Sequence, residues 1–266
     1  NKKGFDDERG TVIEDIFKIV KKIGKPKVLF LENVKNFRNH NHGKTFEYIR
    51  DYIREELGYS VCDIILNACE YTRIPQNRER TFLICFKGEP LWDHPDAFND
   101  IQTLKSKAPL TSLFFENLPE KDYTTKPKES FINEEINDKD IYSKDHFPEY
   151  FKMLERIYLV GKKNDNTFYQ IRRVYARLNA KGRCPTLTAN MGTGGHNVPI
   201  IKQTVNGRSI WRRLTTNECF NLQGFPKNFE LPTDIPNGQL YKQAGNSVVI
   251  PLVTMLAKII KVVITK

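Results

Sequence analysis

The sequence is poor in the features that mark export or membrane residence. Its five cysteines are scattered, with no Cys-x-x-Cys spacing, so it reads as a reduced, intracellular protein. No run of 18 apolar residues occurs; the nearest, Val248 to Ile264, is short and carries Lys258 and Lys261, so no membrane span is expected. There is no signal-peptide pattern and no internal repeat. With 39% hydrophobic and 28% charged residues, neither a disordered tail nor a collagen-like chain fits. The 266 residues allow one large domain or two modest ones with real cores.

Positive charge is what the sequence has in excess, and it is confined. The net charge is +10. Residues 151–215 hold 13 Lys+Arg and 2 Asp+Glu, a local charge of +11, and the remaining 201 residues sum to −1. Arg172, Arg173, Arg177, Lys181, Arg183, Arg208, Arg212 and Arg213 lie in this window, with Tyr169, Tyr175 and Trp211 interleaved. A basic surface beside a neutral body favours a polyanion, nucleic acid first; a solvated face is the bland alternative.

Periodicity predicts an α/β architecture. Thr11 to Ile23 carries a helical apolar stripe stopped by Gly24 and Pro26, and Thr45 to Leu57 carries another stopped by Gly58. Lys27 to Leu31 is a continuous apolar run, the pattern of a strand buried on both faces, while Tyr59 to Asn67 and Arg80 to Lys87 read as two more strands. A largely parallel sheet is the expectation. Residues 89–150 read as irregular. Thr215 to Gln223 and Val248 to Ile264 read as helices, with Pro251 tolerated in a first turn.

Several residue groups carry chemistry. Glu32-Asn33-Val34 follows the first strand, and the carboxyl ends of strands are where α/β sheets bind ligands; a turn cap or a lysine partner suits Glu32 equally. Arg78 and Arg80 are two apart, so in extended chain both point to one side, suiting a phosphate or an oxygen that gains charge, or a surface cluster with Glu79. Cys184 to Asn197 is a hydrogen-bond-rich loop whose Thr, Asn and His, with Arg183, are types that read base edges; its glycine spacing matches no phosphate loop. His40-Asn41-His42 spells HNH without the ligands of a metal nuclease nearby. Cys62 and Cys85 sit in apolar strands as inert core, and no cysteine is nominated as catalytic.

Taken in order, these motifs resemble one family. A strand ending Glu-Asn-Val, then Gln76-x-Arg78-x-Arg80, then a basic insertion with Pro185-Thr186-Leu187-Thr188, are followed by Arg212-Arg213-Leu214-Thr215-Thr216-Asn217-Glu218. Leu222-Gln223-Gly224-Phe225-Pro226 and Gly245-Asn246-Ser247-Val248 come last. The order is similar to that of the DNA (cytosine-5)-methyltransferases in their bacterial restriction–modification form, from Gly4 to the C-terminus and most loosely over residues 89–165.

The resemblance implies an α/β fold: part of a Rossmann-like methyltransferase sheet with an inserted, smaller, mostly β or irregular target-recognition domain. Residues 1–88 and 211–266 would belong to the catalytic domain and 89–210 to the inserted one. It implies a cytosine flipped out of double-stranded DNA, a cysteine thiolate adding to C6, and a methyl group passing from S-adenosylmethionine to C5, with no metal and no membrane, in the bacterial cytoplasm. Glu32 would hold the N3/N4 edge, which asks for a carboxyl that holds or shares a proton. Arg80 would stabilise charge on O2 with Arg78 beside it. Asn246, Ser247 and Val248 would return to the cofactor pocket. Arg173, Arg177, Arg183, Thr186, Thr188, Asn190, His196 and Arg212 would meet DNA.

One departure stands out. The family's Phe-x-Gly-x-Gly cofactor loop and the Pro-Cys loop that carries the nucleophile are not in this sequence, which opens on residues resembling the stretch shortly after the nucleophile. The expectation is a C-terminal portion that needs an N-terminal portion, cut from the same chain or supplied as a separate subunit, and that is inactive alone. The alternative is a non-catalytic, sequence-specific DNA-binding or regulatory subunit.

Overall fold

A computed structural model describes residues 8–88, 119–121, 136–161, 167–172, 174–179, 182–191 and 198–265. The chain divides into two compact units, one of residues 1–66, 79–119 and 256–266, the other of residues 67–78 and 120–255.

In the first unit the expected elements form with small shifts of boundary. Helix α1 (Glu8–Lys22) precedes strand β1 (Val28–Val34). Helix α2 (Lys44–Asp51) continues as a π-helical turn to Glu56. It ends at Gly58, whose φ of +74 is a left-handed conformation that glycine adopts freely. Strands β2 (Tyr59–Asn67) and β3 (Glu79–Lys87) complete a three-stranded sheet of order β1-β3-β2. Phe17 and Val20 of α1, Phe46 and Ile49 of α2, and Ile53 and Leu57 beyond it pack with Leu29, Tyr59, Leu83 and Cys85 of the sheet.

Two expectations need correction here. β3 runs antiparallel to β1, pairing Val28 with Phe86 and Val34 with Arg80, so the sheet is not largely parallel. The link from β2 to β3 holds one helical turn, α3 (Ala68–Tyr71), and a parallel neighbour needs a crossover of about a dozen residues or more. The strand buried on both faces is β3, whose Thr81 to Phe86 are all buried, whereas β1 buries only Leu29. β3 is central and β1 lies at the outside of the sheet.

The second unit is built on a five-stranded antiparallel sheet of order β4-β8-β7-β5-β6. Its strands are β4 (Ile141–Tyr142), β5 (Phe168–Ile171), β6 (Ala176–Asn179), β7 (Pro199–Val205) and β8 (Arg208–Arg213). Residue 210, where the insertion was expected to end, falls inside β8. Helix α4 (Pro148–Val160) starts with proline in its first turn and covers one face. Its Leu154 and Tyr158 pack with Tyr169, Ile171, Ile200 and Trp211, and the Trp211 ring meets Tyr169 and Tyr158 edge-on at 4.9 and 5.6 Å. Two of the three aromatics interleaved in the basic window therefore belong to the core.

Helix α5 (Thr216–Asn221) opens with a capping box between Thr215 and Glu218. It is followed by α6 (Asn237–Asn246) and α7 (Ile250–Thr265). Residues 237–265 are long and apolar enough, by length and composition alone, to cross a membrane. The stretch is broken, however, at Ser247, whose ψ of 162 is extended. The longer piece, α7, has 16 residues, about 24 Å at the helical rise, short of the ~30 Å hydrocarbon core.

Candidate active site

In the first unit Glu32 and Arg80 meet. Glu32 sits late in β1 and Arg80 early in β3, on paired strands whose register sets Glu32 opposite Phe82 and Val34 opposite Arg80. The Arg80 Nε donates to Glu32 Oε1 at 2.9 Å, and Nη1 donates to the Glu79 carbonyl at 2.9 Å. Arg80 is the more buried partner, with 13% of its side chain exposed against 31% for Glu32. Burial pulls the Arg80 pKa below its ordinary value, opposed by the attraction of Glu32. The result is an acceptor and a fixed donor side by side. Such a pair can hold the edge of a heteroaromatic amide and stabilise negative charge that develops on its oxygen.

Arg78 belongs to different chemistry. It is 3% exposed and lies in the second unit, where its guanidinium binds backbone carbonyls: Nη1 to Leu187 at 2.8 Å, and Nη2 to Gly245 and Ser247 at 3.0 and 2.6 Å. The expected pairing of Arg78 with Arg80 on one side is thus corrected. Arg78 stands before β3, with its N–H on Asn67 Oδ1 and its carbonyl accepting from the Ala68 N–H, so strand alternation does not govern it. Arg78 is a positioning residue.

Its neighbours work the same way. Gln76, fully buried, donates to the Leu222 carbonyl at 2.8 Å and accepts from the Leu187 N–H at 3.2 Å. Gln223 donates to the Ala244 carbonyl at 2.7 Å. The Asn77 N–H donates to the Cys184 carbonyl, and the Asn77 carbonyl accepts from the Thr186 hydroxyl at 2.5 Å. Sequence reasoning missed Gln76, Gln223 and Gly245 as functional residues, although each lies within a motif it had marked.

The expected DNA-reading residues separate into classes. Cys184, Leu187 and Met191 are fully buried, so the start of the loop is a clamped segment. The Thr186 hydroxyl is bonded to Asn77, and that of Thr188 donates to Asn190 Oδ1 at 2.6 Å. Arg177 and Asn190 are exposed and Arg183 is half-buried. Arg173 and His196 lie outside the described residues. Arg212 is a correction: it is fully buried, with Nη1 and Nη2 on the two carboxylate oxygens of fully buried Glu218 at 2.9 and 2.7 Å and Nε on Gln203 at 2.7 Å. A guanidinium so enclosed cannot reach a phosphate.

Asn246 and Val248 are exposed and Ser247 half-buried where α6 breaks from α7. All five cysteines are buried, and burial pushes the thiols of Cys85, Cys184 and Cys219 up, the opposite of what a nucleophile needs. Among the described residues no group of three or more His, Cys, Asp and Glu is arranged to hold a metal ion, and the His40 ring is hydrogen-bonded to Thr45 at 2.8 Å.

Residues 1–262 match the C-5 cytosine-specific DNA methylase family. The chain is 41% identical over 259 residues to Type II methyltransferase M.Bsp6I of Bacillus sp. (strain RFL6), covering 97% of this chain and 72% of that protein. It is 34% identical over 261 residues to Type II methyltransferase M.HhaI of Haemophilus parahaemolyticus, covering 96% and 69%. Among solved structures, the Entamoeba histolytica methyltransferase EhMeth shares the fold with a TM-score of 0.62 at 19% identity, over 96% of this chain and 69% of that one.

Proposed function

The chain belongs to the C-5 cytosine-specific DNA methylase family, and from that premise we propose that Glu32 and Arg80 bind a cytosine flipped from double-stranded DNA for methylation at C5. The activity is that of a DNA (cytosine-5)-methyltransferase of restriction–modification systems, acting on a short specific site in the bacterial cytoplasm. The observation that carries the reading is the 2.9 Å Glu32–Arg80 pair.

Addition of a nucleophile at C6 drives negative charge onto N3 and O2 of the ring. Glu32 faces the N3/N4 edge and shares a proton with N3, and Arg80 donates to O2. Because Arg80 is already held by Glu32 and the Glu79 carbonyl, its donors need little reorganisation as that charge grows, and partial burial strengthens the interaction. Asn246, Ser247 and Val248 would line the S-adenosylmethionine site; an amide, a hydroxyl and apolar surface lie open together there, which fits a ligand with both polar and apolar parts. When bound, that group supplies an activated methyl. Arg78, on the Gly245 and Ser247 carbonyls, holds the backbone from which these residues project.

None of the five cysteines offers an accessible thiolate. The reading therefore assigns the nucleophile and the Phe-x-Gly-x-Gly loop to an N-terminal portion, in the same polypeptide or a separate subunit. The test is reconstitution: the chain, a polypeptide carrying both loops, labelled S-adenosylmethionine and duplex DNA yield 5-methylcytosine. A folded mixture that transfers no methyl overturns it. Glu32→Gln and Arg80→Ala each lower turnover by about a hundredfold or more with DNA affinity nearly unchanged. Parallel losses of turnover and affinity remove the assigned roles and favour a DNA-binding subunit without chemistry.

A further inference from the structure

A groove of about 790 Å³ lies between helix α4 and strands β7 and β8. Its apolar walls are Pro148, Phe151 and Leu159 on the helix and Trp211 on β8. Pro148 and Leu159 stand about 16 Å apart along the helix axis. The apolar surface continues past both ends of the helix. Leu159 is 61% exposed and Val160 73%, and Phe147, just before Pro148, is 43% exposed. Phe147 also has a left-handed φ of +65, a strained conformation for so bulky a residue.

The charge around these walls is lopsided. Lys144, Lys152, Arg156 and Lys202 line the groove against one carboxylate, Glu155. That carboxylate is already engaged, because Glu155 Oε1 accepts from Lys202 Nζ at 3.3 Å and from Trp211 Nε1. Lys202 is held in place by it, with its ammonium 3.5 Å from the centre of the Tyr158 ring. Lys152 pairs with Glu149 at 2.9 Å, an exposed contact that water competes for. Among the described residues Lys144 and Arg156, both exposed, have no ion-pair partner. One precedes the helix and the other lies in its second half.

Apolar walls flanked by two unmatched cations fit a peptide segment that sets carboxylates beside apolar side chains. A nucleic acid fits less well, since a phosphate backbone is met by a run of available cations, and two of the four here already have carboxylates. We propose that the groove between α4 and β7–β8 is a docking site for a partner protein, taking an acidic, amphipathic segment of about five residues if extended or about eleven if helical. The groove belongs wholly to the second unit and the Glu32–Arg80 pair to the first, so the proposal stands apart from the cytosine reading.

Panning a displayed library of random short peptides against the 266-residue chain tests it. Enriched peptides carry Asp or Glu beside Leu, Phe or Trp. Resynthesised with a fluorescent label, they bind Lys144→Glu with Arg156→Glu about tenfold or more weakly than the parent. Leu159→Ser weakens them by about tenfold, because apolar burial is lost. All three side chains are exposed, so both variants melt with the parent. A library that yields no binder, peptides without acidic residues, or peptides that bind both variants like the parent overturn the proposal. A mixed-sequence duplex that displaces the peptides, and that itself loses affinity for the charge-reversed variant, assigns the groove to nucleic acid and overturns the protein partner. None of these outcomes bears on methyl transfer, which the reconstitution reads separately.

Discussion

The Arg212 guanidinium is enclosed with the Glu218 carboxylate, both at 0% side-chain exposure, and neither charge has water to turn to if the other is removed. Arg212→Met therefore costs about 3–5 kcal/mol in urea denaturation by stranding the carboxylate. Adding Glu218→Gln recovers more than half of that loss, because glutamine still closes the capping box with Thr215 and carries no charge; a double variant as unstable as the single one contradicts this. Nothing in the sequence distinguishes Arg212 from Arg213 as a DNA contact, since a charge count does not say which way a strand residue points. The Thr215-x-x-Glu218 spacing was the available clue that a carboxylate would be held near the end of β8. Arg78 and Arg80 pose the same difficulty: spacing by two implies a shared side only inside a strand, and Arg78 stands just before β3 begins.

Helix α6 lies directly against the clamped segment. A Cβ added to Gly245 would meet the Thr188 carbonyl carbon at 2.2 Å and the Ala189 nitrogen at 2.5 Å, both backbone atoms that have no rotamer to yield. Gly245→Ala forces the helix and the 184–189 segment apart, disturbing the Arg78 bonds to Leu187 and Gly245. It lowers stability by about 1–3 kcal/mol or more, read as a fall in melting temperature, whereas Gly238→Ala, in the same helix with open space around it, leaves the melting temperature unchanged or raises it. At this scale the sequence was legible where elements are local: α1, α2, β2, β3 and α7 form close to their apolar patterns. Strand direction and strand order were not, because both depend on what the connections allow. β5 to β8 were not placed one by one within the expected β or irregular insertion, because each is only four to seven residues long and gains its burial from pairing with the others and packing under α4.

Across the whole molecule, motif order identified the family more surely than single residues identified their roles. Glu32 and Arg80 form an ion pair, while Arg78 and Arg212 turn inward to hold the frame. A motif preserves residues that shape a site along with those that act in it, and sequence alone does not part them. The stretch between Asp165 and Glu218 has a further consequence. Of its nine Lys and Arg, Lys202, Arg212 and Arg213 are matched by Glu155, Glu218 and Asp140 from outside it; the other six, Arg177 and Arg208 of the sheet among them, have no carboxylate within the stretch. Like charge crowded along so short a stretch is a load, one that a polyanion or dissolved ions relieve. Rising sodium chloride should therefore raise the melting temperature of the free chain over the range in which it weakens duplex binding, and a melting temperature that falls with salt would show that no such load exists. Grip and rigidity then answer to salt with opposite signs, so the protein is least settled when free under the conditions where it holds DNA most tightly.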